Sequence, residues 1–210
     1  MIPFDELVAK RRSIRRYKAE LPPDDMILAM VRTALEAPSP SNSQPVRFIR
    51  LLSDRLRGLL REGVAAKRKE LLGIAENAGR PKWMRNRIRF YSRYIDFMFD
   101  APVLMAVATL RPPERPAGPE GLFGPRTNRI RAANLSVSAG LSLMSYLLKG
   151  EELGLGSCIL SAPLLFLDEP EALLELEEMD LICFITTGYP AEEPPPLPKK
   201  ELGELYLRRS

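Results

Sequence analysis

The run Arg11-Arg12-Ser13-Ile14-Arg15-Arg16 combines residue types and spacing that point to chemistry. In an extended chain side chains alternate, so Arg11, Ser13 and Arg15 share one face. Two guanidinium forks and a hydroxyl converging there suit a phosphate. The competing reading is a basic helix end, where Lys10, Arg11 and Arg12 favour the negative pole of the helix dipole. A second stretch, Ala37 to Pro45 (APSPSNSQP), is dense in short hydroxyl and amide side chains. These donate and accept without charge and suit the polar edge of a heteroaromatic ring or a sugar-like chain; an ordinary Asx- and Ser-turn loop is the alternative. A third, Leu153-Gly154-Leu155-Gly156-Ser157-Cys158, places two glycines in a tight turn that allows close backbone approach. It lacks the GxGxxG pattern and leads into a strand, so it is no Rossmann fingerprint. The fourth is Thr187-Gly188-Tyr189-Pro190, followed by Lys199 and Lys200. Those lysines either complete an anion site or solvate the tail.

The remaining composition narrows the chemistry. None of the 210 residues is His. That excludes a Ser-His-Asp triad, a Cys-His dyad, His-ligated zinc and His-ligated haem. Cys158 and Cys183 form no CxxC pair and sit in apolar surroundings, as buried structural thiols do. With no disulfide framework, the expected location is the reducing cytoplasm. The N-terminus lacks the apolar core of a signal peptide. The uncharged stretch Ala132–Leu148 contains four Ser, an Asn and a Gly, so it reads as a buried core helix and not a membrane span. A net charge of +4 does not by itself imply nucleic acid.

The elements that must position these groups follow from periodicity and caps. A short helix is expected over 4–11. A second begins at Pro22-Pro23 and Asp24-Asp25, carries an apolar stripe of Ile27, Met30, Val31, Ala34 and Leu35, and stops at Ala37-Pro38. A strand over Val46–Leu52 and a polar amphipathic helix over Asp54–Asn77 come next. Arg80–Arg93 is basic and aromatic and holds the single Trp. It reads as a solvated helix face, with a nucleic-acid surface as its rival. Val103–Leu110 is apolar throughout, hence a buried central strand. Arg111–Pro125 is a Pro/Gly-rich loop. A long helix over 128–153, a strand over Ser157–Leu160, a helix over 169–178 capped by Asp168, and a buried strand over Leu181–Thr187 complete the chain. The tail 191–210 is extended through its prolines. Helices and strands mix without a βαβ rhythm, so the fold class is α+β in a single domain over 1–210.

Taken in order and spacing, RRSIRRY, APSPSNSQP, GLGSC, TGYP and the Pro-rich basic tail resemble the nitroreductase family of FMN-dependent NAD(P)H oxidoreductases. The resemblance is good over 10–50 and 181–202, fair over 100–109 and 147–162, and poor between 54 and 98. It implies an α+β fold, a central mostly antiparallel sheet flanked by helices, in an intertwined homodimer. FMN would lie at the subunit interface, and the tail 191–210 would pack on the partner. By position, Arg11, Arg12 and Ser13 match residues that hold the FMN phosphate and ribityl chain. Arg15 matches the basic residue at the pyrimidine edge. Pro38, Ser39 and Asn42 match residues donated to the same flavin by the partner subunit. Ser161 and Ala162 match a turn whose amides approach flavin N5 and O4. Lys199 matches the C-terminal basic residue on the phosphate, with Lys200 one register away. Three departures stand out. Pro40 replaces a frequent Ser, Lys199 replaces a usual Arg, and Tyr94–Phe97 lacks an Asn/Lys pair found in some members.

The implied activity is ping-pong transfer of a hydride from NADH or NADPH, through flavin N5, to a small acceptor such as a nitroaromatic or quinone. Catalysis would be flavin-based, with no catalytic side chain and no metal, which agrees with the missing histidines. A cation such as Arg15 beside N1/O2 would stabilise the anionic reduced flavin and raise its potential. No nucleic-acid or membrane partner is expected. The alternatives are a flavin-binding sensor or accessory protein with little turnover, and a nucleic-acid-binding protein using segment 80–93.

Overall fold

A computed structural model of the protein describes residues 2–111 and 126–209. The loop expected over Arg111–Pro125 therefore lies outside the described residues, Arg111 excepted. In chain order the elements are α1 (Phe4–Lys10), α2 (Asp24–Leu35), β1 (Val46–Arg50), α3 (Asp54–Glu76), α4 (Pro81–Ser92), β2 (Val103–Leu110), α5 (Arg126–Glu152), β3 (Gly156–Leu160), α6 (Pro170–Leu173), β4 (Met179–Gly188) and α7 (Leu202–Leu205). The four strands form one sheet in the order β1-β2-β4-β3, with every neighbouring pair antiparallel. This is the expected α+β arrangement.

The apolar run of β2 is explained by helices on both faces of the sheet. Val103, Met105 and Val107 point to a cluster with Ile27, Met30 and Ala34 of α2 and Leu143, Tyr146 and Leu147 of α5. Leu104, Ala106 and Ala108 point to the opposite cluster, with Leu60 and Val64 of α3, Met98, Phe99 and Phe166. Both cysteines are buried. Burial pushes the Cys183 thiol up to about 12 and raises that of Cys158, so both remain protonated near neutral pH.

Several boundaries and burials differ from the sequence reading. The helix expected over 169–178 is one turn, Pro170–Leu173. Leu174 and Leu176 are both buried, and Glu175 between them takes a left-handed φ of 56°. The chain therefore turns after one helical cycle. Asp168 leaves the cap to its neighbour and meets Lys67 Nζ at 2.7 Å. In α2, Leu35 is exposed although it continues the apolar stripe. The Ala132–Leu148 helix is buried on one flank only. Ser138, Ala139, Ser142, Leu143 and Tyr146 face inward, while Val137 is 57% exposed and Leu141 and Met144 are exposed beside it. None of the described helices is long and apolar enough to cross a membrane. The tail is extended through its prolines and makes one helical turn, α7, beyond them.

Candidate functional site

The arginine run sits at one corner of the sheet. It leaves α1 at Arg11 and passes the start of β3, where Ser13 bridges Ser157 and the Ile14 amide donates to the Ser157 carbonyl at 3.1 Å. It then crosses the chain beyond β4, where Tyr17 bridges Pro190 and the Lys18 amide donates to the Tyr189 carbonyl at 2.9 Å. The Tyr17 hydroxyl donates to the Ile14 carbonyl and pairs with Thr186 Oγ1 at 2.8 Å. Its burial raises its pKa, so it stays a donor. Beneath the segment lies a buried hydroxyl trio: Thr187 Oγ1 is 3.0 Å from Tyr146 Oη and 2.9 Å from Ser157 Oγ. Burial pushes the Tyr146 hydroxyl up to about 12.

The two glycines of the third motif make this corner possible. Gly154 has φ +73°, and Gly156 has no room for a side chain because Ile14 fills the space above it. The turn thus brings β3 under the arginine segment, the close approach expected of it.

The arginines diverge in use. Arg12 folds back on α1, its Nη1 donating to the carbonyls of Ala9, Lys10 and Arg11. This is the helix-end role that competed with phosphate binding. Its Nε is nevertheless buried without a hydrogen-bond partner among the described residues. Arg15 is exposed and lies over the Tyr94 ring, 5.5 Å from its centroid. Arg16 is drawn the other way, its Nε 3.0 Å from Glu192 Oε2.

The second group occupies the loop into β1. Ser39 Oγ accepts from the Gln44 amide at 2.9 Å, and Gln44 Nε2 donates to Asn42 Oδ1 at 3.1 Å. Ser41, Asn42 and Gln44 all have positive φ, between 43° and 54°, a conformation few non-glycine residues adopt. The loop lines a cavity of about 510 Å³ with Ser39, Asn42, Gln44, Arg47, Ser138 and Ser142 among its walls, within the usual range for small-molecule pockets. A second cavity of about 420 Å³ continues along α5 past Ser41, Ser43, Arg131 and Asn134.

The sheet register fixes how these groups relate. The arginine segment meets β3 at Ser157, which pairs with Thr187, which pairs with Val103 at the start of β2. The loop enters β1 at Val46, which pairs with Thr109 near the end of β2. The two groups therefore stand at diagonal corners, four strand spacings and six residues apart, roughly 25 Å. Among the expected site residues, the fold brings Arg11, Arg12, Ser13 and Arg15 to one corner. It brings Pro38, Ser39 and Asn42 to the other. Ser161 is exposed where β3 ends and begins the turn through Ala162. Lys199 is exposed in the tail.

Two features escaped the sequence. Ser138 and Ser142 face a cavity because they stand four apart on α5; the run of serines there was the available signal. Tyr94 ends a ladder of rings and cations. Arg93 lies 4.8 Å from Tyr94 and 4.6 Å from Phe90, and Arg87 lies 5.3 Å from Tyr91 and 5.9 Å from Trp83. This basic, aromatic helix face begins at Arg15.

Comparison with known proteins places this geometry. An iodotyrosine deiodinase from Thermotoga neapolitana is 28% identical over 202 residues, covering 96% of each chain. A BluB-like flavoprotein from Clostridium difficile 630 superimposes over 100% of both chains with a TM-score of 0.85 and 26% identity. An iodotyrosine deiodinase solved with FMN and 3-iodo-L-tyrosine matches over 98% of each chain, with a TM-score of 0.65 and 26% identity. With the sheet order, the flanking helices and a match of the family's sequence model to residues 8–189, this chain belongs to the Nitroreductase family.

Proposed function

We propose that the chain is an FMN-dependent oxidoreductase that uses NADH or NADPH to reduce a small acceptor, and that it works as a homodimer. The observation that carries this reading is the diagonal placement of two residue groups, each suited to the same flavin. If both contact one FMN, they come from two copies of the chain. The exposed apolar flank of α5 and the exposed Leu197, Leu202, Leu205 and Leu207 of the tail supply apolar surface for such a partner. The related deiodinase structure holds FMN.

The residues present fit that cofactor. Arg12 Nε is a buried donor with no acceptor among the described residues. With Arg11 and the Ser13 hydroxyl it would hold the phosphate, whose charge approaches two. Arg15 would face the pyrimidine edge. Ser39 and Asn42 of the second copy would bond the flavin's polar edge, with Pro38 beside them. The turn at Ser161 and Ala162 would offer amides near N5 and O4, and Lys199 would add a cation at the phosphate. FMN supplies the hydride-accepting and hydride-donating centre, so no side-chain nucleophile or base is required. Tyr94 and the α4 face beyond it would wall the acceptor's side of Arg15.

A second reading concerns the acceptor. The likeness to iodotyrosine deiodinases along nearly the whole chain favours reductive removal of halide from a halogenated aromatic ring. In that case two electrons and a proton replace the carbon–halogen bond with carbon–hydrogen and release halide.

The test is a visible spectrum of the purified protein, followed by NADH or NADPH without air, then a quinone, a nitroaromatic or 3-iodo-L-tyrosine. Bound flavin that bleaches and is reoxidised by one acceptor identifies the reaction. Flavin that neither nucleotide bleaches fits the sensor reading or another electron donor. A colourless protein that takes up no FMN overturns the proposal.

A further inference from the structure

The arginine segment lacks a regular strand ladder. Among the described residues, two isolated bridges, Ser13 with Ser157 and Tyr17 with Pro190, attach it to the sheet. The Ile14 and Lys18 amides find carbonyl acceptors. Those of Arg15 and Arg16, between them, are served by one side chain. Glu192 Oε1 accepts from Arg15 N at 2.6 Å and from Arg16 N at 3.1 Å. Its Oε2 accepts from Arg16 Nε at 3.0 Å. The neighbouring Ala191 amide donates to the Arg16 carbonyl at 2.9 Å. The Glu192 side chain is 16% exposed. Two successive amides aimed at one oxygen make an anion-binding concavity, here filled by the chain's own carboxylate.

We propose that Glu192 is a positioning residue for the cofactor: it clasps the backbone at Arg15–Arg16 and engages the Arg16 guanidinium, leaving Arg11, Arg12, Ser13 and Arg15 set toward the flavin. The inference rests on the flavin reading above. Without the carboxylate, the Arg15 and Arg16 amides lose the acceptor that fixes them, and Arg16 becomes a further mobile cation beside the phosphate. Glu192 therefore divides the arginines between structure and ligand. It also couples the first residues of the C-terminal tail to the cofactor, independently of any dimer contact.

The test compares wild type with Glu192→Ala, Glu192→Gln, Arg16→Ala and Arg11→Ala in the full chain. Three quantities are read: the FMN dissociation constant, the midpoint potential of the bound flavin, and the thermal midpoint of the apoprotein. Glu192→Ala is expected to weaken FMN about tenfold or more and to lower the potential, because Arg15 drifts from the reduced flavin. Glu192→Gln keeps an oxygen for both amides and is expected to recover most of the affinity. Arg16→Ala, which leaves the backbone clasp intact, is expected to change FMN affinity by less than about threefold. An affinity and potential unchanged in Glu192→Ala, while Arg11→Ala still weakens FMN, would overturn the proposal and leave the flavin reading standing. A lowered apoprotein midpoint in both Glu192 variants, with no recovery of affinity by Gln, would also overturn it. Unaltered FMN binding in Arg11→Ala, or no FMN binding by wild type, would instead defeat the flavin reading itself. Should the Ala variant fail to fold, Glu192→Ser, whose side chain is too short to reach both amides, takes its place in the same comparison.

Discussion

A methyl group added to Gly156 would stand 2.8 Å from Ile14 Cβ, well inside contact distance. β3 and the arginine segment can lie together only while position 156 is glycine. Overpacking of this kind costs about 1–3 kcal/mol. Gly156→Ala should lower the thermal midpoint by that equivalent and weaken FMN binding together with it, since the strand that supports Ser13 must shift. Calorimetry and a flavin titration on the same sample check both.

Thr187 joins Tyr146 and Ser157 through one hydroxyl, and all three residues are buried. Thr187→Val keeps the shape and removes the shared partner. Two buried hydroxyls then lose a hydrogen bond, at about 1–3 kcal/mol for an unsatisfied buried group. Chemical denaturation should register the loss, and Thr187→Ser should restore most of it.

Arg15→Ala should lower the midpoint potential of bound flavin and weaken its affinity, since a fixed cation beside the reduced ring is lost. Ser39→Ala and Asn42→Ala should weaken FMN while leaving the fold intact, because the loop is exposed at Asn42 and only half-buried at Ser39. Circular dichroism beside a fluorescence titration separates affinity from folding. Binding unchanged in all three variants would refute the assignment.

Legibility in the sequence depended on how far each determinant reached. β2 was readable because both faces of the strand are covered, so every residue in Val103–Thr109 is buried and the run is unbroken. Gly154 is readable because its positive φ serves a turn locally, whereas the partner that requires Gly156, Ile14, lies 142 residues away. The helix expected over 169–178 from its Asp168 cap and first-turn Pro170 stops after one turn because Glu175 takes a left-handed φ and Leu174 and Leu176 on either side of it are both buried. The exposed flank of α5 is not legible in the sequence because apolar residues alone do not say which side the chain covers. Glu192 left no local signal, since its partners lie 176 and 177 residues away.

The tail offers a cleaner test of assembly once the clasp is left in place. A chain ending after Glu193 keeps Glu192 and removes the exposed Leu197, Leu202, Leu205 and Leu207. It should dimerise more weakly, measured by sedimentation, and lose FMN in proportion. A chain that stays dimeric and fully loaded would show that the tail has no part in assembly.

Burial of the Glu192 carboxyl alone would raise its pKa; the Arg15 amide and the Arg16 guanidinium and amide outweigh this and hold it below the usual carboxylate range. Burial raises the Tyr17 and Cys158 values, and the nearby Glu192 charge adds to that rise, so both stay neutral beside it. A depressed folded value means the clasp stabilises the fold above the ordinary carboxylate pKa of about 4.3 and is lost as pH falls through the lower folded value. The difference in apoprotein thermal midpoint between wild type and Glu192→Gln should therefore shrink below about pH 4. A difference constant from pH 6 to pH 3 would contradict it.

The diagonal separation of the two residue groups has a genetic consequence. On the proposed dimer, each cofactor draws one corner from each copy. A chain crippled at Arg11 and another crippled at Asn42 would each be inactive alone. Coexpressed, they would form mixed pairs in which one centre inherits both lesions and the other inherits neither. Activity recovered by mixing two dead alleles would be the signature of a shared centre, and no arrangement confined to one chain produces it.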